Sequence, residues 1–571
     1  MSYMDEYKAW LHWFSDDSAL VSELEGIKDD PKEIEDRFYT GLSFGTAGMR
    51  GVMGMGLNRM NVYVVRRASK GLAQYIKAHG EQDRGVVVAF DSRLNSAEFA
   101  KQTALTLAEN GVKAYLFDSL RPVPVLSFAV RHLNAAGGVV ITASHNPPQY
   151  NGYKVYAADG AQVGPEVADE ITHFISELAL TDCPPMDEEK AKEAGLLQII
   201  GDKEVDTDYI AMIKTLSLRP ELLKKDGDKL KIVYTPLHGS GNVPVRRMLK
   251  ELGVTHVTVV PEQEKPDGHF PTVTAPNPED PAAFKYAIPL AEQVGATVVF
   301  GTDPDCDRMG VAVRDQEGVF HTLTGNQIGC LLLSHILESR KKNGTLPKNG
   351  AIVKSIVSTE MARAIADSYG VVTYDVLTGF KFIGEKIQQF EQTGEKTFLF
   401  GFEESFGYLS GTKVRDKDGV NASLLLCEAA CAAMDEGTTL YDKLNRLFET
   451  YGWYVEKGVS VTLPGKDGVA KIKGIMQALR AHAPEMLGGL RVLAVRDYER
   501  GVRMSGGKET PLNTPASNVL YFELEGGNWV CIRPSGTEPK IKLYVNTRAN
   551  SKDASHALNE KLCEEAKKLM E

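Results

Sequence analysis

Val86-Val87-Val88-Ala89-Phe90, Ala114-Tyr115-Leu116-Phe117-Asp118 and Gly138-Val139-Val140-Ile141-Thr142-Ala143 are short runs rich in β-branched or aromatic residues, the composition of buried strands. Between the first two, AEFAKQTALTLAENG (97–111) repeats its apolar residues at helical spacing. Strands alternating with helices at this rhythm predict βαβ units and a parallel or mixed sheet.

The rhythm recurs twice downstream. KIVYTP (231–236), HVTVVP (256–261) and TVVFGT (297–302) make a second set, with helices in VPVRRMLKELG (243–253) and PAAFKYAIPLAEQVG (281–295). AIVKSIVS (351–358), VVTYDV (371–376) and TFLFGF (397–402) make a third, with TEMARAIADSYG (359–370) and IGEKIQQFEQ (383–392). A helical stretch precedes them, and from about residue 456 the pattern turns strand-rich α+β, ending in an amphipathic helix at 552–570. Charged or Pro/Gly-rich segments mark the predicted boundaries: RPELLKKDGDK (219–229) after the first unit and RDQEGV (314–319) after the second. TDCPPMDEEKAKEAG (181–195) reads as a loop or exposed hairpin. The expected domains are 1–218, 219–322, 323–455 and 456–571, without an internal repeat.

The 571 residues suit several domains of about 150 residues each, and 43% hydrophobic with 25% charged residues is an ordinary globular balance. A net charge of −11 excludes a uniformly basic nucleic-acid binder, so an anionic substrate would have to be held by a few local cationic pockets. Seven scattered cysteines without a C-x-x-C pair make neither a disulfide framework nor a zinc ribbon. No signal peptide and no membrane span is read, so a cytoplasmic protein without nucleic-acid or membrane partners is expected.

Asp303-Pro304-Asp305-Cys306-Asp307-Arg308 follows the strand TVVFGT. Carboxylates at i, i+2 and i+4 can converge on one hard cation, and oxygen-only ligands suit Mg²⁺ or Mn²⁺. The alternative is a solvated acidic turn, which mutual repulsion beside a buried strand disfavours. An EF-hand fails, because Arg308 and Arg314 stand where its Gly and Glu belong. Thr142-Ala143-Ser144-His145-Asn146-Pro147-Pro148 ends the strand GVVITA and runs on to Lys154. Ser144 is placed there as a nucleophile, with His145 and Lys154 to handle protons or hold phosphate, or else as a turn residue. Gly41-Leu42-Ser43-Phe44-Gly45 matches a hydrolase elbow only in letters, since no buried strand precedes it.

Phe44-Gly45-Thr46-Ala47-Gly48-Met49-Arg50-Gly51 is a Gly-rich loop whose Arg50 can clamp phosphate. In Arg533-Pro534-Ser535-Gly536-Thr537-Glu538-Pro539-Lys540, an Arg, two hydroxyls, a Gly turn and a Lys can surround phosphate oxygens. Gly401-Phe402-Glu403-Glu404-Ser405-Phe406-Gly407-Tyr408 offers acceptors for sugar hydroxyls. Arg415-Asp416-Lys417-Asp418-Gly419 and Thr378-Gly379-Phe380-Lys381 are weaker signals, each equally a solvated loop. No Walker A, dinucleotide-binding G-x-G-x-x-G or H-E-x-x-H motif occurs.

The succession GTAGMRG, TASHNPPQYNGYK, DPDCDR, GFEESFG and RPSGTEP resembles the α-D-phosphohexomutase superfamily over roughly residues 40 to 545, and within it the longer branch of phosphoglucomutases and phosphopentomutase-like enzymes. The resemblance implies three related α/β domains and a TATA-box-binding-protein-like fourth around a central cleft. It implies Ser144 as phosphoserine and as one ligand of a single Mg²⁺, with Asp303, Asp305 and Asp307. It assigns Arg50, His145, Lys154 and Lys417 to catalysis. Thr378, Gly379, Glu403 and Ser405 fall to sugar binding and Arg533, Ser535, Gly536 and Thr537 to the distal phosphate, with Lys381, Arg415, Lys540 and Arg308 as further substrate-binding residues. The activity implied is exchange of α-D-glucose 1-phosphate and glucose 6-phosphate through glucose 1,6-bisphosphate. EESFG, rather than E-x-S-G-H, favours glucose over mannose and glucosamine; pentose phosphates stay open, as do a phosphatase, an inactive sensor, and a monomer or a dimer.

Overall fold

The computed structural model describes residues 2–45, 48–463, 465–534 and 540–570. Three N-terminal helices, Tyr3–Trp13, Ser18–Glu25 and Pro31–Phe38, are capped by Ser2, Asp17 and Asp30. They close around Trp10, Leu20, Leu24 and Ile34, a small core continued by Tyr63 of the first α/β unit.

The first sheet has six strands in the order Gly48–Val52, Tyr150–Ala157, Gly137–Ile141, Val86–Phe90, Ala114–Phe117, Leu197–Ile200. Its last four strands are parallel and its first two join antiparallel. Two further sheets follow the same plan. Val298–Thr302, Ile232–Thr235 and Val257–Val259 run parallel, with Met309–Arg314 and Phe320–Thr322 added antiparallel. Gly350–Ser355, Val372–Val376 and Thr397–Glu403 run parallel, closed by Gly407–Leu409. The central parallel strands Val86–Phe90, Gly137–Ile141, Ile232–Thr235, Val298–Thr302 and Gly350–Ser355 are buried on both faces, as their unbroken apolar runs require. In open α/β sheets the loops beyond the carboxyl ends of such strands form the ligand crevice. The fourth unit is an antiparallel sheet opening with Trp453–Thr462 and backed by the helix Lys552–Lys568.

Two segments depart from expectation, and a third, expected only as a boundary between units, is helical. The predicted loop at 181–195 contains a helix, Glu188–Glu193, which Asp187 caps and Ala191 anchors in the core. RPELLKKDGDK is a helix over Pro220–Asp226: Pro220 sits in the first turn, where no N–H partner is needed, and Leu222 and Leu223 are buried. RDQEGV is the turn joining two antiparallel strands inside the second sheet. Polar composition concealed the few buried contacts that hold each helix.

Glu428, fully buried on the helix Gly419–Asp435, ties the third unit to the segment leaving the first. It accepts from Ser217 Oγ at 2.5 Å, Arg219 N at 2.7 Å, Leu218 N at 3.1 Å and His335 Nε2 at 2.9 Å. Burial would raise its carboxyl, but the His335 and Ser217 bonds hold it below the usual range, so its contribution is present near neutrality and lost as pH falls. Glu428→Ala is expected to destabilise the protein by about 3–5 kcal/mol, measured by denaturant unfolding at pH 7. A ΔΔG under about 1 kcal/mol would contradict this reading.

Candidate active site

Loops from the carboxyl ends of strands in the first and second sheets meet at Ser144, and Lys417 of the third unit reaches the same aspartates. Ser144 has φ +53°, a left-handed backbone that costs a non-glycine residue about 1 kcal/mol and holds the hydroxyl at the tip of its turn. Two anchors enforce it: Ser144 N donates to Thr142 Oγ1 at 2.8 Å, and Arg93 Nη2 donates to Ser144 O at 2.6 Å. The same guanidinium bonds the carbonyls of Asn146, Pro147 and Tyr150, so one buried cation gathers the whole turn. Asp91, fully buried beneath it, pairs with Arg93 at 3.4 Å and accepts from Thr142 Oγ1 at 2.6 Å.

Ser144 Oγ donates to Asp303 Oδ2 at 2.9 Å and lies 3.2 Å from His145 Nδ1. Asp303, Asp305 and Asp307 are buried with carboxylate oxygens within 4.8 Å of one another. Cys306 between them has φ +51°, which folds the loop so that alternate side chains converge. Among the described residues, Asp305 Oδ1 and Asp307 Oδ1 are buried without a hydrogen-bond partner. An all-oxygen, acceptor-only set with orphaned lone pairs fits a hard divalent cation. Burial, reinforced by the charges of Asp305 and Asp307, pushes the Asp303 carboxyl well above its usual range.

Two lysines flank the triad. Lys154 Nζ lies 2.9 Å from Asp305 and 3.8 Å from Asp307; Lys417 Nζ lies 3.0 Å from both Asp307 and Asp416. Burial works against the Lys417 charge, but Asp307 and Asp416 outweigh it and hold the ammonium far above its ordinary value. His145 is driven the other way: burial, then the charges of Arg308 and Arg50, keep its imidazole neutral.

Arg50 joins this cluster by donating from Nη1 to Asn146 Oδ1 at 3.0 Å. Arg308 gives its backbone N–H to Asp303 Oδ1 at 3.0 Å, while its guanidinium pairs with Glu279. In the third unit Gly379 N donates to Glu403 Oε1 at 2.7 Å, joining the two expected sugar loops. Thr378 and Ser405 are half-buried there, and Lys381 is buried with its ammonium 5.2 Å from the Phe382 ring. Arg533 and Lys540 stand at strand ends of the fourth sheet, and the Arg533 charge acts on the Glu404 carboxyl. Ser535, Gly536 and Thr537, like Thr46 and Ala47, lie outside the described residues.

One expected residue is displaced from this group. Arg415 has no exposed surface; it bonds Thr412 O at 3.0 Å and pairs with Glu391, so it is a buried strut and not a sugar ligand. The sequence reading missed Arg93 and Asp91, and it quoted Glu404 without a separate role; Glu404 accepts from Ser355 Oγ at 2.8 Å. Asp91-Ser92-Arg93 directly follows the strand VVVAF, and that position was the available signal.

Family models cover most of the chain. Those described as phosphoglucomutase/phosphomannomutase alpha/beta/alpha domains I, II and III match residues 41–181, 207–318 and 324–451, and the C-terminal domain matches 459–565. The chain is similar to a phosphoglucomutase of Staphylococcus aureus (strain MSSA476), 37% identical over 562 residues and 98% of each chain. A phosphoglucomutase of Staphylococcus haemolyticus (strain JCSC1435) is 36% identical over 545 residues, 95% of this chain and 96% of the relative. Among solved structures, a putative phosphomannomutase from Thermus thermophilus aligns with a TM-score of 0.69 at 25% identity, over 93% of this chain and 99% of that one. The open form of parafusin from Paramecium shares the fold, with a TM-score of 0.66 at 17% identity over 93% and 95% of the two chains.

Proposed function

The chain belongs to the phosphoglucomutase/phosphomannomutase family, and from that premise we propose that it is an isomerase exchanging α-D-glucose 1-phosphate and glucose 6-phosphate. The observation that carries this reading is the strained, anchored Ser144 hydroxyl 2.9 Å from a carboxylate of the aspartate triad. Asp303, Asp305 and Asp307, with an oxygen on Ser144, would hold Mg²⁺, which when bound neutralises charge on a phosphoryl group.

In the proposed cycle Ser144 starts phosphorylated. A free sugar hydroxyl attacks the phosphorus; the bond to Ser144 Oγ breaks as the bond to the sugar oxygen forms, giving glucose 1,6-bisphosphate. Lys417, held charged between two carboxylates, serves as a fixed cation; Lys154 is assigned to take the hydroxyl proton, which requires its amine to be free of its own proton and of its pairing with Asp305 when the sugar binds. The neutral His145 ring is placed to donate a hydrogen bond to the departing Oγ. The bisphosphate then reverses, and its other phosphate returns to Ser144. Arg50 and Arg308 would hold the reacting phosphate; Arg533, Lys540 and the 535–537 loop would grip the distal one whichever end of the sugar it occupies. Glu403 and Ser405, beside Thr378 and Gly379, would accept from the sugar hydroxyls, with the Lys381 ammonium alongside. The EESFG sequence and the relatives named phosphoglucomutase both support glucose.

Burial, followed by the neighbouring Glu404 carboxyl, pushes Glu403 up to about 7. Its ionised form accepts from sugar hydroxyls through stronger, charge-assisted bonds than the neutral acid does, so KM is expected to fall as pH rises through about 7. Glu403→Gln should flatten that dependence, and an unchanged pH profile in the variant would remove Glu403 from sugar binding. The function itself is tested by parallel turnover of α-glucose, α-mannose and α-ribose 1-phosphates with Mg²⁺ and a trace of glucose 1,6-bisphosphate. Glucose is expected to react fastest. A pentose preference would overturn the sugar assignment, and turnover of none by folded protein would overturn the mutase.

A further inference from the structure

A cavity of about 220 Å³ lies between the segment 41–44 and the helices Val62–Ala78 and Pro165–Ser176. Its walls are mostly apolar, from Leu42, Phe44, Val64 and Ile175, and one charged group, Arg67, enters it. Thr172 and Ser176 also reach it, but each spends its hydroxyl proton on a carbonyl of its own helix.

Arg67 is half-buried, yet among the described residues it makes no hydrogen bond and meets no carboxylate within 4.0 Å. The neighbouring arginines differ: Arg37 and Arg59 pair with Glu23 and Asp36, Arg66 with Gln102, and Arg93 with the Ser144 turn. Glu6 and Cys183 act on Arg67 only through space, and burial disfavours its charge. Burial removes part of the hydration of this guanidinium while its nitrogens still reach solvent, so an entering carboxylate would displace water and meet donors that none of the described residues occupies. The volume is below that of sites for drug-sized ligands and suits a fragment.

We propose that this cavity is a binding site for a small monocarboxylate with an apolar body about the size of a phenyl ring, its carboxylate on Arg67. The occupant would also adjust the catalytic loop. Phe44 and Met49 line the cavity, and Met49 directly precedes Arg50, which bonds Asn146 two residues beyond Ser144. A ligand packed against Met49 that holds Arg50 in its Asn146 contact beside Ser144 would tighten sugar phosphate, and sugar phosphate would tighten it in return. This kinetic consequence rests on the mutase reading; the binding does not.

The test is calorimetric titration of the full chain with benzoate, phenylacetate and hexanoate, with benzamide as the uncharged control. At least one carboxylate should bind with a Kd of about 1 mM or better and slow amide exchange in residues 41–52, whereas benzamide should not bind. Arg67→Met should weaken binding at least about tenfold, and Thr172→Phe, which fills the cavity but keeps the charge, should abolish it. Arg67→Lys should retain weakened binding, separating loss of the anion contact from loss of fold. Absence of carboxylate binding, or equal binding to wild type and Arg67→Met, would overturn the site. With the carboxylate bound, KM for glucose 1-phosphate should fall about threefold; an unchanged KM would overturn the coupling. Carboxylate binding by a protein that turns over no sugar phosphate would instead refute the mutase and leave the site standing.

Discussion

Ser144→Ala is expected to lower turnover of glucose 1-phosphate by about 10⁴-fold or more, because removing a nucleophile eliminates the covalent path and leaves only binding and electrostatics. The fold should survive. Alanine keeps the backbone anchors from Thr142 and Arg93, and it meets the same left-handed φ of +53° at a similar strain of about 1 kcal/mol. Sugar-phosphate binding should persist, since Arg50, Glu403 and Arg533 are untouched. A coupled assay, a melting curve and a direct binding titration on one preparation separate these effects. Residual turnover within about tenfold of wild type would show that another group carries the phosphoryl.

The second large effect concerns the aspartates. Chelation is expected to abolish turnover, and Asp305→Asn to weaken Mg²⁺ or Mn²⁺ binding by at least about 100-fold, since it removes a charged ligand with a lone pair otherwise orphaned. Burial and the charges of Asp305 and Asp307 raise the Asp303 carboxyl well above its ordinary value, so the metal-free triad is expected to hold a proton to higher pH than separate carboxylates would. Metal entry must displace that proton, so metal affinity should rise with pH until Asp303 ionises unaided. Titration calorimetry in buffers of different ionisation enthalpy reads the displaced proton directly. A buffer-independent heat, with affinity flat across pH, would contradict the arrangement.

Local pattern made much of this legible. The strand runs carried the parallel cores because strands buried on both faces read as unbroken apolar segments. Ser144 and the three aspartates stood out because each group directly follows such a strand, where ligand loops fall in open sheets. What stayed hidden depends on contacts distant in sequence. Arg93 reaches the Ser144 turn from 51 residues away, and Glu428 grips a segment some 210 residues upstream. Neither has a local signature. Arg415 misled by proximity: it lies two residues from Lys417, but the chain turns between them, so Lys417 faces the triad while Arg415 is sealed against Glu391.

The central claim is that Ser144 receives a phosphoryl group and returns it to sugar. It is tested most directly by incubating the protein and Mg²⁺ with glucose 1,6-bisphosphate labelled at phosphorus, then quenching and mapping the peptides. The account predicts label on Ser144 that unlabelled glucose 1-phosphate chases into glucose phosphates. Label on a different residue, or its release from Ser144 as inorganic phosphate alone, would contradict it.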